Sequence, residues 1–559
     1  FILSSNSAGQ FIQSGGNITV DGNSGTLATS AVGHTVDMYC FTTSTLQLTG
    51  GNFTVVDPCA TSTSTDMSFK VFPSAGLAHG TGPNWNLKLG NGLSNDAGGN
   101  ATAGFGINLS NTVTFRINGT LTVDMLGGTN RFVSTTGNLG INNLNIISGD
   151  FRTNFGVYIK GDIVNNGTMT NLSTLYLADI NGSTQSASTL AQTISGTGTF
   201  RNNATTSTGS FTSLNMENSN ASGVTLAIPI TVSSTFTLTA GRLNTDATNI
   251  LRIGSIVGSP TAGSLTYTTN IGNYVNGPLE RVFVANRTAA QTYTNTTLFP
   301  VGYGDTLRSF FVDPSTSALG PIVVRVTPSS SISGTNGGGV SNLATMGWNA
   351  AIVSGSTNFT GTFVSLGSYA ADLDSTKKMV YSATPNGTYE GTPGGSVFIA
   401  STPKVLRSAL IPAATYLENF TFANLVPCTA PVDQGTLSSS MITATTFTGT
   451  ITAAASLPTA YLIVRYPAGS VTTNPVDGVT YLVGGTLGLG TTLGSATTTT
   501  SFDFAGTGLV ASTSYDYYAY AFNNSGCAGP TYNTITPAFM NVTTCAATTG
   551  TPGLPANTA

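Results

Sequence analysis

The stretch whose reading decides the fold is G-V-T-L-A-I-P-I-T-V-S-S-T-F-T-L-T-A-G, residues 223–241. Val224, Leu226, Ile228, Ile230, Val232, Phe236, Leu238 and Ala240 share one parity, while the other is mostly small or hydroxylated. Such alternation turns one face of a β-strand to a core and the other to solvent. Pro229 has no N–H to give a neighbouring strand, so a bend or corner is expected in mid-run. No residue of the run is charged, so it is read as supplying shape rather than chemistry.

Working outward, apolar anchors at Leu175, Ile194, Leu214 and Phe236 recur at intervals of 19, 20 and 22 residues. That is about one turn of a parallel β-solenoid, whose coils stack around a continuous core. Inward positions then want Val, Ile and Leu, and corners want Gly or Asn, which tolerate positive φ. T-V-T-F-R-I-N-G-T-L-T-V-D-M (112–125) and G-V-Y-I-K-G-D-I-V-N-N-G-T-M (156–169) fit the same grammar. Residues 1–258 are therefore expected to form a right-handed parallel β-helix or solenoid.

The character changes at residues 262–426. Longer strands such as P-I-V-V-R-V-T (321–327) and Y-L-E-N-F-T-F (416–422) alternate with polar loops, which predicts a β-sandwich with Trp348 as a core or loop anchor. A third unit spans 428–541. Its L-V-A-S-T-S-Y (509–515) resembles the Leu-x-Pro-x-Thr-x-Tyr signature of fibronectin type III modules, with Ala511 in the proline position. That resemblance implies an immunoglobulin-like sandwich in which the Tyr515 hydroxyl bonds back to nearby backbone. In the following strand one parity holds Tyr515, Tyr517, Ala519 and Ala521, and the other holds Tyr518 and Tyr520. One of these faces must point away from the core, making Tyr517, Tyr518 and Tyr520 candidates for contact with a sugar or partner, although cover by neighbouring strands or modules is the preferred reading.

Composition supports an all-β reading and excludes several functions. Of 559 residues only 7% are charged, against roughly 25% in ordinary domains. With 18 Lys and Arg there is no basic stripe for nucleic acid or an anionic membrane. Hydrophobic residues reach 40%, enough to bury a core, and no apolar run is long enough for a membrane-spanning helix. The chain starts at Phe1 without a leader, and the reading expects a mature or excised segment.

Five cysteines spread along the chain fit an exported protein with occasional disulfides. Cys40–Cys59 would close a loop of about 20 residues, worth roughly 3 kcal/mol on the chain-entropy model. Cys428 and Cys527 are expected at the same pole of the third unit and are the second candidate pair. The tail after Cys545 echoes the start of that unit, because a Leu follows nine residues later in both (Cys428 to Leu437, Cys545 to Leu554). Residues 542–559 are thus read as a linker and the start of a further module.

Signs of catalysis are sparse. Asp and Glu total 22. Asp372 and Asp374 could share a strand face and hold Ca²⁺, although a solvated loop with Lys377 and Lys378 as counterions is the preferred reading. Asp162, Arg152 and Lys160 lie close enough in sequence for a lyase-like cluster, with scattered surface charges preferred. His34 and His79 are the only histidines, too few with these cysteines for a zinc set or a triad with an elbow motif. G-G-T-L-G-L-G-T-T-L-G (484–494) precedes no helix, so it is read as a sandwich edge or loop. No cofactor is expected.

Finally, N-G-T-L-T-V, K-G-D-I-V-N-N-G-T-M and the opening run, followed by Y-V-N-G-P-L-E-R (274–281), L-F-P-V-G (298–302), Y-L-I-V-R and T-N-P-V-D-G-V-T-Y (473–481), resemble large secreted surface proteins of Bacteroidetes. The resemblance implies a β-helical region, a junction sandwich and fibronectin-type modules, in adhesin-like substrates of type IX secretion. Asp305-Thr306-Leu307 resembles the O-glycosylation acceptor of that group, making Thr306 a modification candidate. N-x-Ser/Thr sequons at Asn17, Asn52, Asn118, Asn166 and Asn419 are read as chance products of an Asn- and Thr-rich chain. The expected function is a non-catalytic, extracellular structural or adhesive stalk at the cell surface. Its expected partners are other surface proteins, glycans or copies of itself. The alternatives are a self-assembling filament or coat subunit, and a β-helix enzyme that binds or degrades polysaccharide.

Overall fold

The computed structural model describes residues 2–3, 10–20, 36–39, 45–56, 69–72, 79–92, 105–109, 114–125, 131–134, 138–153, 155–171, 173–202, 210–368, 373–392, 395–401, 403–412, 418–496, 502–525 and 527–547. Among these the fold is all-β, with one short 3₁₀ turn at Ser356–Asn358 and no α-helix.

The opening run forms two strands, Val224–Leu226 and Ile230–Ala240, with Pro229 in the bend between them. Val224, Leu226, Ile230, Val232, Phe236 and Leu238 are buried, and Ile228 and Ala240 are half-buried. The run is bracketed by Gly223 (φ +66°) and Gly241 (φ +85°). A Cβ on Gly241 would sit 1.9 Å from the Asn218 carbonyl oxygen, so the corner admits only glycine.

Neighbouring strands pair in parallel and keep like residues in columns. One column runs Phe115, Leu139, Val157, Leu175, Leu214, Phe236, Leu265. A second runs Leu144, Ile163, Ile194, Leu226. Ile194 therefore does not belong in the series with Leu175, Leu214 and Phe236, as its spacing suggests. Leu175 and Leu214 are direct neighbours although 39 residues separate them. The extra length includes an antiparallel hairpin, Asp179–Asn181 with Thr184–Ser186, which leaves the stack and returns. A separate parallel sheet carries Arg131–Ser134, Asp150–Thr153, Thr168–Asn171 and Thr199–Arg201 along another side.

Polar side chains also stack along the columns. The Asn52 amide donates to Asn17 Oδ1 (2.8 Å), and Asn86 to Asn52 Oδ1 (3.0 Å). Inside, Asn218 Nδ2 donates to Gln192 Oε1 (2.7 Å), and Gln192 Nε2 donates to the carbonyls of Ile159 (2.8 Å) and Gly161 (3.0 Å). Such bonds satisfy polar groups that burial would otherwise penalise.

Parallel pairing runs past residue 258. Arg242–Asn244 pairs with Tyr274–Asn276, which in turn pairs with Leu298–Tyr303 through Val275↔Val301. The switch comes at Leu279–Phe283. This strand is parallel to Leu251–Ile253 on one side and antiparallel to Ile322–Ser329 on the other.

Beyond it lie two antiparallel sheets. Leu298–Tyr303, Thr306–Thr316, Phe359–Ser368, Lys404–Ser408 and Ser396–Ile399 pair in one. Ile322–Ser329, Gly347–Ser354, Asn419–Leu425 and Lys377–Ser382 pair in the other. Their inner faces meet where Phe310 lies 5.9 Å from the Trp348 ring and 5.7 Å from Phe420, so Trp348 is a core residue of a β-sandwich. The core of this sandwich is continuous with that of the parallel strands, in one cluster from Leu48 to Phe422.

In the last unit, a sheet of Thr436–Ser440, Phe447–Thr452 and Phe502–Gly506 faces a second sheet built on Ala460–Pro467 and Ser514–Asn523. Phe447 and Ile451 of the first pack with Tyr461, Ile463, Tyr517 and Ala519 of the second. Residues 484–494 form part of a β-hairpin, Thr486–Leu487 with Gly490–Ala496.

Candidate functional site

The charged side chains of the parallel region are mostly tied to one another. Arg152 Nη2 meets Asp150 Oδ2 at 2.9 Å in a buried pair, and Thr170 Oγ1 donates to the same carboxylate (2.7 Å). Lys160 pairs with Asp179 (2.9 Å), and Asp162 Oδ1 accepts the Thr193 N–H (2.8 Å). Asp162, Arg152 and Lys160 thus serve three different contacts and do not converge.

The grouping that sequence reasoning missed centres on Asp179, in the hairpin. Its carboxylate bridges Arg116 (2.8 Å) and Lys160 (2.9 Å), and Arg116 Nη1 also donates to the Ile180 carbonyl (2.9 Å). Ile180 is buried over Tyr158 and Ala178, and the Tyr158 and Tyr176 rings stack at 4.2 Å. Burial first, and Tyr176 second, push the Tyr158 hydroxyl well above its ordinary range. With both carboxylate oxygens engaged and the tyrosines covered, this patch pins the hairpin to the stack. The signal for it was only the identity of Asp179; its partners lie 63 and 19 residues upstream.

At the switch strand, Glu280 takes Arg252 (2.6 Å) on one side and Arg325 (2.6 Å) on the other, and it is buried. The register places Arg252, Glu280 and Arg325 side by side across three strands. Arg281, the next residue, faces the opposite side and is 2% exposed. Its Nη1 donates to the carbonyls of Asn295 (2.7 Å) and Leu298 (2.6 Å), and its ring-stacking partner is Phe299 at 5.9 Å.

In the last unit Tyr517 and Tyr520 are fully buried and Tyr518 is half-buried. The strand Ser514–Asn523 is covered on both faces. Tyr517 packs on Phe447 and Phe504, whereas Tyr520 lies in a cluster with Leu462, Tyr466, Leu487 and Tyr532. The face carrying Tyr518 and Tyr520 is therefore closed by the segment carrying Tyr481 and Leu487. Burial pushes the Tyr517 hydroxyl up to about 12. Tyr515 Oη accepts the Val510 N–H at 3.0 Å, the backbone contact anticipated from the L-V-A-S-T-S-Y motif.

Cys428 and Cys527 form a disulfide. Its neighbours lock the connection between units: Ala528 N–H donates to the Val426 carbonyl (2.7 Å), and Val426 N–H donates to Gly339 (2.9 Å) in the preceding sandwich. Cys545 is free and exposed, with its N–H donating to the Thr443 carbonyl (3.0 Å).

The remaining candidates divide. Thr306 is exposed beside a turn in which Asp305 pairs with Arg242 at 2.5 Å. Asp374 is a turn cap whose carboxylate accepts the Thr376 N–H (2.8 Å) and hydroxyl (2.6 Å), which hold it below the usual carboxylate range. Asn419 is buried, and Asn17 and Asn52 are engaged with each other. Cys40, Cys59, Asp372 and His34 lie outside the described residues, as does the side chain of His79. Among the described residues no three His, Cys, Asp or Glu side chains gather as a metal set, and no helix is long and apolar enough to cross a membrane. In comparisons with known proteins, no family model matches the chain and no curated protein matches it.

Proposed function

We propose that the chain is an elongated extracellular spacer, structural or adhesive, that holds contacts away from a cell surface. In this reading the parallel strands form a right-handed β-solenoid, the β-sandwich caps it, and a fibronectin type III-like module extends it. The observation that carries the reading is the single hydrophobic cluster from Leu48 to Phe422, which leaves no soft joint between the stacked strands and the sandwich. Supporting it, the Cys428–Cys527 disulfide fits an oxidising compartment. The ladder from Gln10–Val20 to Ser264–Tyr267 makes nine parallel steps. At about 4.8 Å a step that is roughly 43 Å of length from the ladder alone.

The test is negative-stain electron microscopy of the purified chain, followed by adhesion of beads coated with it to glycan arrays and to cells. Rods that tether beads are the expected result. Compact particles, or a chain that cleaves polysaccharides and releases new reducing ends, would overturn the spacer reading. Thr306 is proposed as a glycan acceptor on its surface turn, to be read by intact mass of chain from its native source against Thr306→Ala.

A further inference from the structure

Where the parallel ladder gives way to the sandwich, a cleft of 340 Å³ opens between the strand Ser264–Tyr267 and the 284–296 segment. Its volume is at the lower end of the ~300–1,000 Å³ typical of small-ligand sites. Ala262, Leu265 and Phe283 give it apolar wall, and Arg281 and Arg287 line it.

The two arginines differ. Arg287 is neutralised by Asp313, with Nη2 to Oδ1 at 2.5 Å. That carboxylate is otherwise filled by the Thr292 N–H (2.9 Å), the Thr292 hydroxyl (2.8 Å) and the Ala290 N–H (3.1 Å). Among the described residues Arg281 meets no carboxylate. Its Nη1 is used by two backbone carbonyls, and its buried Nε donates to nothing. Burial, with Arg287 beside it, lowers the guanidinium to about 9, so it is charged and uncompensated at neutral pH. A buried unpaired charge is unfavourable, and a ligand that neutralises it recovers that loss.

We propose that this cleft binds the carboxylate of a small organic or sugar acid, held by the guanidinium of Arg281. With Nη1 taken by the two carbonyls and Nε buried, a monoanion meeting the remaining Nη2 matches the single unbalanced charge. A dianion such as sulfate would bring one charge more than the cleft neutralises. The apolar walls suit the carbon skeleton attached to the carboxylate. The site stands apart from the spacer reading, since a rod without ligand and a compact particle with one are both distinguishable outcomes.

Isothermal titration calorimetry of the whole chain tests it, with sodium acetate, sodium galacturonate and sodium sulfate as probes at matched ionic strength. One saturable carboxylate site is expected. Tighter binding of galacturonate than acetate identifies a sugar acid, and the reverse a simple organic acid. Arg281→Lys should weaken binding by about tenfold, since the shorter ammonium does not reach the Nη2 position. Because Arg281 also holds the Asn295 and Leu298 carbonyls, a second variant, Ala262→Phe, fills the cleft and leaves the guanidinium in place. It should abolish binding while the thermal transition stays intact. No saturable heat from either carboxylate, equal or tighter binding of sulfate, or binding untouched by Ala262→Phe would overturn the proposal.

Discussion

At the scale of single residues, the corners and the buried polar groups decide most. Gly241 turns at φ +85° with the Asn218 carbonyl against its missing side chain. Gly241→Ala should therefore destabilise by more than ~1 kcal/mol, seen as a lower urea midpoint. Leu214→Ala, in mid-column, should cost about 2–5 kcal/mol by the same measurement. Titration offers a separate check. The Tyr517 hydroxyl is raised from its ordinary 10.0 to about 12 by burial, so its contribution is complete below pH 10 and is lost as pH climbs through about 12. Alkaline unfolding of the last unit in that window, followed by tyrosinate absorbance, should be delayed in Tyr517→Phe.

Elements show where spacing misleads. Leu175 and Ile194 lie 19 residues apart, yet they occupy different columns because the hairpin at 179–186 lengthens the turn between them. A hairpin leaves no trace in apolar periodicity, since its own alternation mimics another strand. The Tyr517–Tyr520 segment is the complementary case. Alternation showed two faces, but only tertiary packing put a second cover, with Tyr466 and Leu487, over the face carrying Tyr520. By contrast, Pro229 and the bracketing glycines of the opening run were legible, because backbone chemistry alone requires a corner there. The switch strand is the sharpest element-level test. Glu280→Ala would leave Arg252 and Arg325, each about a third exposed, facing each other across a missing carboxylate, and about 1.5–3 kcal/mol of destabilisation is expected by denaturant titration.

Across the whole molecule, two separately cored units set the unfolding behaviour. The Leu48-to-Phe422 cluster and the cores of the last unit are separate. Calorimetry is expected to show two transitions. The disulfide spans 99 residues of the last unit, for which the chain-entropy model gives about 4.7 kcal/mol. Cys428→Ser with Cys527→Ser should lower the transition of that unit and leave the other in place. A single cooperative transition, or equal shifts in both, would contradict this division.

The all-β class, the inward parity of residues 223–241 and the Tyr515 contact were determined by the sequence, because each depends on local periodicity, proline and glycine chemistry, or a short motif. The register of the columns, the carboxylate shared by Arg252 and Arg325, the double cover on Tyr520 and the uncompensated Arg281 were decided only by the tertiary structure. Each joins residues distant in the chain, and alternation along one strand carries no information about which strand lies beside it.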